Sequence, residues 1–200
     1  MPLRERVQRA SFNSEAELPY ELRIDDFAIA MQDVYDFFFD VNSLFHSKGL
    51  PRFEEVLRAA GMSGLISDML TASLAKHARS LCQNQFHNGH PDLIVRGRHP
   101  NDKIKSAEEG VEIKTTRNSR AAVDTHGARA QWMCVFVYEV DSSTEPAQDR
   151  RATRFTKVYL SNVSADDFRR NERSDLGTRT ATLHKEGVKK LRSNWIYLLQ

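Results

Sequence analysis

Pro91-Asp92-Leu93-Ile94-Val95, then a polar loop, then Val111-Glu112-Ile113-Lys114-Thr115-Thr116: these two short strand-forming runs each carry charge. In a strand, alternate side chains share a face. Glu112 and Lys114 therefore point one way, and Ile113 points into the opposite layer. Asp92 opens an apolar run, which sets its carboxylate at a strand edge. The segment 97–110, rich in Pro, Asn, Asp and Lys, is long enough to bring Asp92 beside Glu112. Upstream, residues 83–86 and the turn-forming Asn88-Gly89 predict a hairpin or bend into 93–95. Downstream, Trp132-Met133-Cys134-Val135-Phe136-Val137-Tyr138-Glu139-Val140 predicts a strand buried on both faces. Residues 155–160 and 195–199 supply two further strands.

Helices come before this sheet. Phe27, Met31, Val34, Phe38, Val41 and Phe45 recur at three- and four-residue steps and predict a helix over 24–45. Phe37 and Phe39 widen its stripe, which points to burial or a subunit contact. Lys48-Gly49-Leu50-Pro51 ends it. A short helix over 53–60 should stop at Gly61, and Ser63 is the expected cap of a helix running to about Leu81. Its inner face holds Ile66, Met69, Leu70, Leu74 and Leu81. Residues 117–130 have room for one or two helical turns. Residues 164–173 read as a helix capped by Ser164, and 182–194 as a last helix. The pattern predicts one α/β (α+β) domain over 1–200: an N-terminal helical part (1–62), a core (63–160) with a mixed central sheet flanked by helices, and a C-terminal part (161–200).

Composition excludes several classes. There are two cysteines, Cys82 and Cys134, far apart and outside any CxxC pair, so neither a disulfide framework nor a zinc knuckle is expected. Cys134 belongs to the core strand. The N-terminus lacks an apolar stretch of signal-peptide length, and no run approaches the roughly 20 apolar residues of a membrane span. A cytoplasmic setting, with no membrane partner, is the expectation. The net charge of +2 says little about partners; the arrangement of charge says more.

The chemistry centres on Asp92, Glu112 and Lys114. Two carboxylates side by side form an oxygen-rich site suited to magnesium. A nearby ammonium can orient a water or stabilise developing negative charge. Paired carboxylates without a cation are costly, which makes a purely structural role less attractive. The alternative is an ordinary surface Glu/Lys pair with an aspartate at a turn. Pro91-Asp92 followed by Glu112-Ile113-Lys114 resembles the PD-(D/E)xK nuclease superfamily, which includes many type II restriction endonucleases. The resemblance covers about residues 65–140. It implies a restriction-endonuclease-like fold and Mg2+ held by Asp92, Glu112 and the Ile113 carbonyl. It also implies hydrolysis of DNA phosphodiester bonds to a 5′ phosphate and a 3′ hydroxyl. The expected substrate is double-stranded DNA cut at a specific site by a homodimer, with a cognate DNA methyltransferase as a candidate companion. A repair or recombination nuclease, such as a junction resolvase or a transposon end-cleaving subunit, is the alternative among enzymes. A DNA-binding module that keeps the fold without catalysis is the alternative outside them.

Many members of that superfamily add an acid from the helix before the sheet. Asp68 is the natural candidate, but the helical wheel turns it away from the Ile66/Leu70/Leu74 stripe; Glu54 and Glu55 are weaker candidates. His87 and His90 bracket Asn88-Gly89; a metal site using both, as histidines serve in an HNH-type nuclease, is the alternative to the preferred reading, a polar turn with one phosphate contact. His126 reads as a turn residue, with a position facing the DNA as the alternative. Lys103, Lys105, Arg117, Arg120 and Arg129 flank the site, with Thr115, Thr116, Asn118 and Ser119 among them. This mixture suits a phosphate-lined cleft, with Arg117, Asn118 and Arg120 as DNA contacts. Farther on, Lys189 is expected on a phosphate. Arg179, in the segment 175–182, is the candidate reader of a guanine.

Overall fold

In the computed structural model the described residues are 3–121, 123–170 and 180–199, with only the backbone of Arg170 included. The first helix, α1 (Ile24–Ser47), begins where Asp26 turns back to accept the Arg23 backbone N–H at 2.9 Å. It ends at Gly49, whose φ of +67° suits a residue without a Cβ. Short α2 (Phe53–Val56) leads into α3 (Ala59–His77).

Gly61 and Ser63 lie inside α3 and not between two helices, which corrects the expected boundary. The Ser63 hydroxyl does not cap; it lies 2.8 Å from the Tyr138 hydroxyl. Met62, Ile66, Leu70 and Leu74 form the inner face, and Leu81 belongs to the first strand.

Six strands form the main sheet: β1 (Leu81–Gln83), β2 (Leu93–Val95), β3 (Val111–Thr116), β5 (Gln131–Glu139), β6 (Arg154–Val163) and β9 (Trp195–Leu198), in the spatial order β1-β2-β3-β5-β6-β9. β3 and β5 are parallel; the other neighbours are antiparallel. A second sheet has the order β4-β8-β7, from β4 (Asp124–Thr125), β7 (Phe168–Arg170) and β8 (Ala181–Leu183). The chain is thus a mixed α/β protein with N-terminal helices packed on a six-stranded sheet.

Two expected helical segments turn out differently. The segment after Ser164 makes one 3-10 turn, Ala165–Asp167, and then enters β7, where Phe168, Arg169 and Arg170 pair with Leu183, Thr182 and Ala181 of β8. The last helix, α4 (Lys185–Ser193), therefore starts three residues later than expected, capped by His184, whose Nδ1 accepts the N–H groups of Glu186 and Gly187 at 3.1 Å. Among the described residues of 117–130 there is no helical turn; β4 is the regular element there.

The sheet has two packed faces. On one, Ile113, Cys134, Phe136 and Tyr138 meet Phe27, Met31, Val34, Ile66 and Leu70 from α1 and α3. On the other, Met133, Val135 and Val137 meet Ala181 and Leu183 of β8 and Leu191 of α4. The buried double face of β5 follows directly. α1 spends its aromatic stripe within the chain: Tyr35 stacks on Phe155 at 5.5 Å, and Phe37 and Phe38 pack against Phe53. Of the aromatic run 35–39, read above as buried or as a subunit contact, Tyr35 and Phe38 are buried within the chain's own core, and Phe37 and Phe39 are half-buried. Among the described residues, no helix is long and apolar enough to cross a membrane.

Candidate active site

β2 and β3 pair at a single position, Leu93↔Val111, and then part. Beyond that point the β3 edge facing β2 has no strand partner among the described residues, and side chains satisfy the backbone of Ile113. The Ile113 N–H donates to Asp92 Oδ2 at 2.8 Å, and the Ile113 carbonyl accepts from Ser67 Oγ of α3 at 3.1 Å. Asp92 thus sits in the mouth of a fork, next to the strand that carries Glu112 and Lys114.

Glu112 and Lys114 pair in register with Met133 and Val135, so all four share the sheet face that β8 and α4 cover. Glu112 is only 2% exposed. The Lys114 ammonium donates to its Oε1 at 2.6 Å, and His90 Nδ1 lies 3.3 Å from its Oε2. The sequence brings Asp92, Glu112 and Lys114 together as expected, and the fold adds His90.

Electrostatics separate the two carboxyls. Burial pushes Asp92 up to about 6, and the neighbouring Glu112 charge adds to the rise. Burial also works against Glu112, but the hydrogen bonds from His90 and Lys114 outweigh it and hold this group at about 2. Lys114 is raised: burial disfavours its charge, and the attraction of Glu112 and Asp92 more than offsets that. The pair titrates as a unit.

Asp92 accepts the Ile113 N–H, and its charge and that of Glu112 act on each other, so the two carboxylates are neighbours, oxygen donors of the kind a hard cation takes. The cost of ionising Asp92 beside Glu112 is relieved by added positive charge, so the residues present fit such an ion. Among the described residues no cluster of three or more His, Cys, Asp and Glu is arranged to hold a metal. Any cation here would rest on two carboxylates and backbone or water oxygens. Asp68 is exposed on α3 and does not join them; its neighbour Ser67 is the helix residue that reaches the fork. Glu54 is buried in a different cluster, accepting from Asn42 at 2.8 Å, Arg52 at 2.6 Å and Thr153 at 3.0 Å, while Glu55 pairs with Arg150. That cluster borders a cavity of about 240 Å³ beside α1, and the buried Arg52 Nη1 has no hydrogen-bond partner among the described residues.

The expected DNA contacts divide. Arg117 and Arg120 are exposed after β3, and Arg117 Nη2 reaches the Val140 carbonyl at 3.4 Å. The Asn118 side-chain oxygen accepts the Arg120 N–H at 2.9 Å, so this residue shapes its own turn. Lys189 is exposed on α4 and, with Arg120, lines a groove that also holds Arg169, Lys185 and Arg192. Arg179 lies outside the described residues. His87 is exposed on the turn, and the exposed His126 ring sits 6.1 Å from that of His90. Of the flanking cations, Arg129 bears on Lys114, its charge opposing that of the ammonium.

Sequence reasoning missed Ser67 and the contact of His90 with Glu112. Only the position of His90 two residues before Asp92 gave any signal. No protein-family model matches the chain, and no curated protein matches it.

Proposed function

We propose that the protein is a magnesium-dependent DNA endonuclease of the PD-(D/E)xK class, with Asp92, Glu112 and Lys114 as its catalytic core. The carrying observation is the fork: a buried carboxylate pair and a lysine converge where β2 and β3 part, beside the free-edge backbone of Ile113. The mixed sheet, with α1 and α3 on one face, supports a restriction-endonuclease-like fold.

Asp92, Glu112 and the Ile113 carbonyl would hold Mg2+, which when bound neutralises phosphate charge and lowers the pKa of water. Lys114 supplies the remaining positive charge. Its ammonium, held by Glu112 and raised in pKa, stays protonated and can donate to the attacking water or to a non-bridging phosphate oxygen. Ser67 and Asp92 hold the Ile113 backbone along the same strand edge, one at its carbonyl and one at its N–H. Arg117 and Arg120 stand at the exposed exit of β3, where they suit flanking phosphates.

The substrate reading is double-stranded DNA cut at a specific site. One chain carries one such motif, and a homodimer would place two of them on a palindrome. A cognate methyltransferase fits the same reading.

The test is digestion of phage DNA with Mg2+, comparing wild type with Asp92→Ala, Glu112→Ala and Lys114→Ala. Discrete bands from wild type, and a loss of about 10³-fold or more in each folded variant, are expected. A smear would point to cleavage without site selection. Wild-type turnover by any of the three variants would remove that residue from the catalytic core.

A further inference from the structure

His90 does not sit as a turn residue should. Its side chain is 14% exposed and lies against the least exposed charged group of the site. Glu112 has two carboxylate oxygens: Lys114 holds Oε1 at 2.6 Å, and His90 Nδ1 stands 3.3 Å from Oε2. An ionised carboxylate can only accept, so Nδ1 must carry the proton. Two donors on opposite oxygens fix the plane of the carboxylate, which a lysine alone leaves free to rotate.

The chain around His90 is held on both sides. Its N–H donates to the Lys105 carbonyl at 3.1 Å, and its carbonyl accepts from the Ala107 N–H at 2.8 Å. Asn84 Nδ2 donates to the carbonyls of Pro91 at 3.1 Å and Ile104 at 2.8 Å. Gly89 permits this closeness: a Cβ there would lie 2.5 Å from both Asn84 Nδ2 and the Ile104 carbonyl. Asn84, Gly89 and the 104–107 strip thus form a clamp whose product is a fixed imidazole at Glu112 and a fixed carboxylate at Asp92.

We infer that His90 is a positioning residue, which orients Glu112 through Nδ1–H so that Glu112 and Asp92 face one divalent cation. The inference rests on the nuclease reading of this site. Outer partners of metal-binding carboxylates typically change metal affinity by about 10–100-fold when removed. Apparent Mg2+ affinity should therefore fall much more than the maximal rate.

The experiment compares His90→Ala, His90→Asn and His90→Gln by two readouts. One is the half-saturating Mg2+ concentration for cleavage. The other, which needs no DNA, is the rise in melting temperature on adding Mg2+ or Mn2+. The Asn amide nitrogen falls near the position of Nδ1 and can donate to Glu112; the Gln amide reaches the position of Nε2. His90→Ala should raise half-saturating Mg2+ by about 10-fold or more and shrink the thermal shift, with cleavage at saturating Mg2+ within a few-fold of wild type. His90→Asn should restore most of both effects, and His90→Gln should not.

A purely structural role would make Asn and Gln alike, and that result overturns the inference. So does an unchanged Mg2+ dependence in His90→Ala. If His90→Ala does not fold, the Asn–Gln contrast decides. Glu112→Ala separates the two levels. If wild type shows a cation-dependent thermal shift that Glu112→Ala abolishes, the cation site stands, and an unaffected His90 series overturns only the role of His90. If wild type shows neither cleavage nor a cation-dependent shift, the nuclease reading itself fails, and the role of His90 fails with it.

Discussion

Asp92 concentrates the site's tension at a single residue. Its carboxyl is pushed up to about 6 by burial and by Glu112, against an ordinary value of 3.8. The folded chain thus holds a proton there that the unfolded chain has released, so the Asp92 contribution to stability falls as pH rises from about 4 through about 6. Glu112 runs the other way: held at about 2, it adds stability above its ordinary 4.5 and loses it as pH drops toward 2. A divalent cation bound beside Asp92 would compete with its proton below about pH 6 and progressively less above it. Cation-induced stabilisation should consequently be larger at about pH 7.5 than at about pH 5, reaching about 5 °C in melting temperature when the cation is about 100-fold over its Kd. Asp92→Asn keeps the shape and removes the charge. It should melt at or above wild type without cation at about pH 7.5 and lose the cation response. Scanning fluorimetry at the two pH values checks this, and an equal shift at both would show that the Asp92 proton is not in competition with the cation.

At the scale of elements, the site depends on how far β2 and β3 stay together. Leu93↔Val111 is their one register pair, and Gly110 stands immediately before it. Its φ is +134°, and a Cβ would lie 2.1 Å from the Leu93 carbonyl and 2.6 Å from Pro91 Cγ. Gly110→Ala should cost about 3 kcal/mol or more, combining backbone strain with overlap, and should reduce cleavage by moving Asp92. Gly97→Ala has φ +72° but open space around the added methyl, so it should cost about 1–2 kcal/mol and leave the site intact. Urea denaturation of the two variants measures the difference; equal losses would mean that the fork is not what Gly110 protects. The strands that carry this fork were legible in the sequence because alternation and apolar runs are local signals. So was α1, from the spacing of Phe27, Met31, Val34 and Phe38. The start of α3 was not: Gly61 and Ser63 look like a break, yet the Ser63 hydroxyl is engaged by Tyr138, a partner 75 residues away. The run after Ser164 carries a helix-like cap, since Asp167 accepts the Ser164 N–H at 2.7 Å, but pairing with β8 draws Phe168 onward into a strand. Likewise Asp92, Glu112 and Lys114 were visible from strand alternation, whereas His90 and Ser67 acquire their roles only from the way the fork opens.

Across the whole molecule, the two faces of the main sheet have different tasks. α1 and α3 close one face, and the other face carries Glu112 and Lys114 beside the β4-β8-β7 sheet and α4. On that second side Arg120, Arg169, Lys185, Lys189 and Arg192 line one groove, with Glu186 as its acid. None of these five cations is in an ion pair among the described residues, although elsewhere arginines are neutralised: Arg23 by Asp26, Arg98 by Glu109, Arg150 by Glu55 and Arg154 by Glu139. Cations left unpaired in one groove, on the face of the proposed catalytic residues, suit the phosphates of a duplex that extends past the scissile bond. Removing one phosphate-binding cation should reduce the slope of log K against log salt by about 0.9. Replacing both Lys189 and Arg192 by Ala should therefore flatten the slope by about 2. It should weaken cognate and altered duplexes alike, because phosphates carry no base identity. Cleavage at saturating DNA should stay near wild type, since neither side chain touches the fork. Lys190 provides a control on the same helix: its ammonium is held by Asp167 at 2.9 Å, so Lys190→Ala should change the slope much less. Anisotropy titrations of a labelled duplex across a salt series compare wild type with both variants. If Lys190→Ala flattens the slope by half as much as the double variant, binding follows net charge and not the groove. If the double variant leaves it unchanged, the duplex runs elsewhere on the molecule.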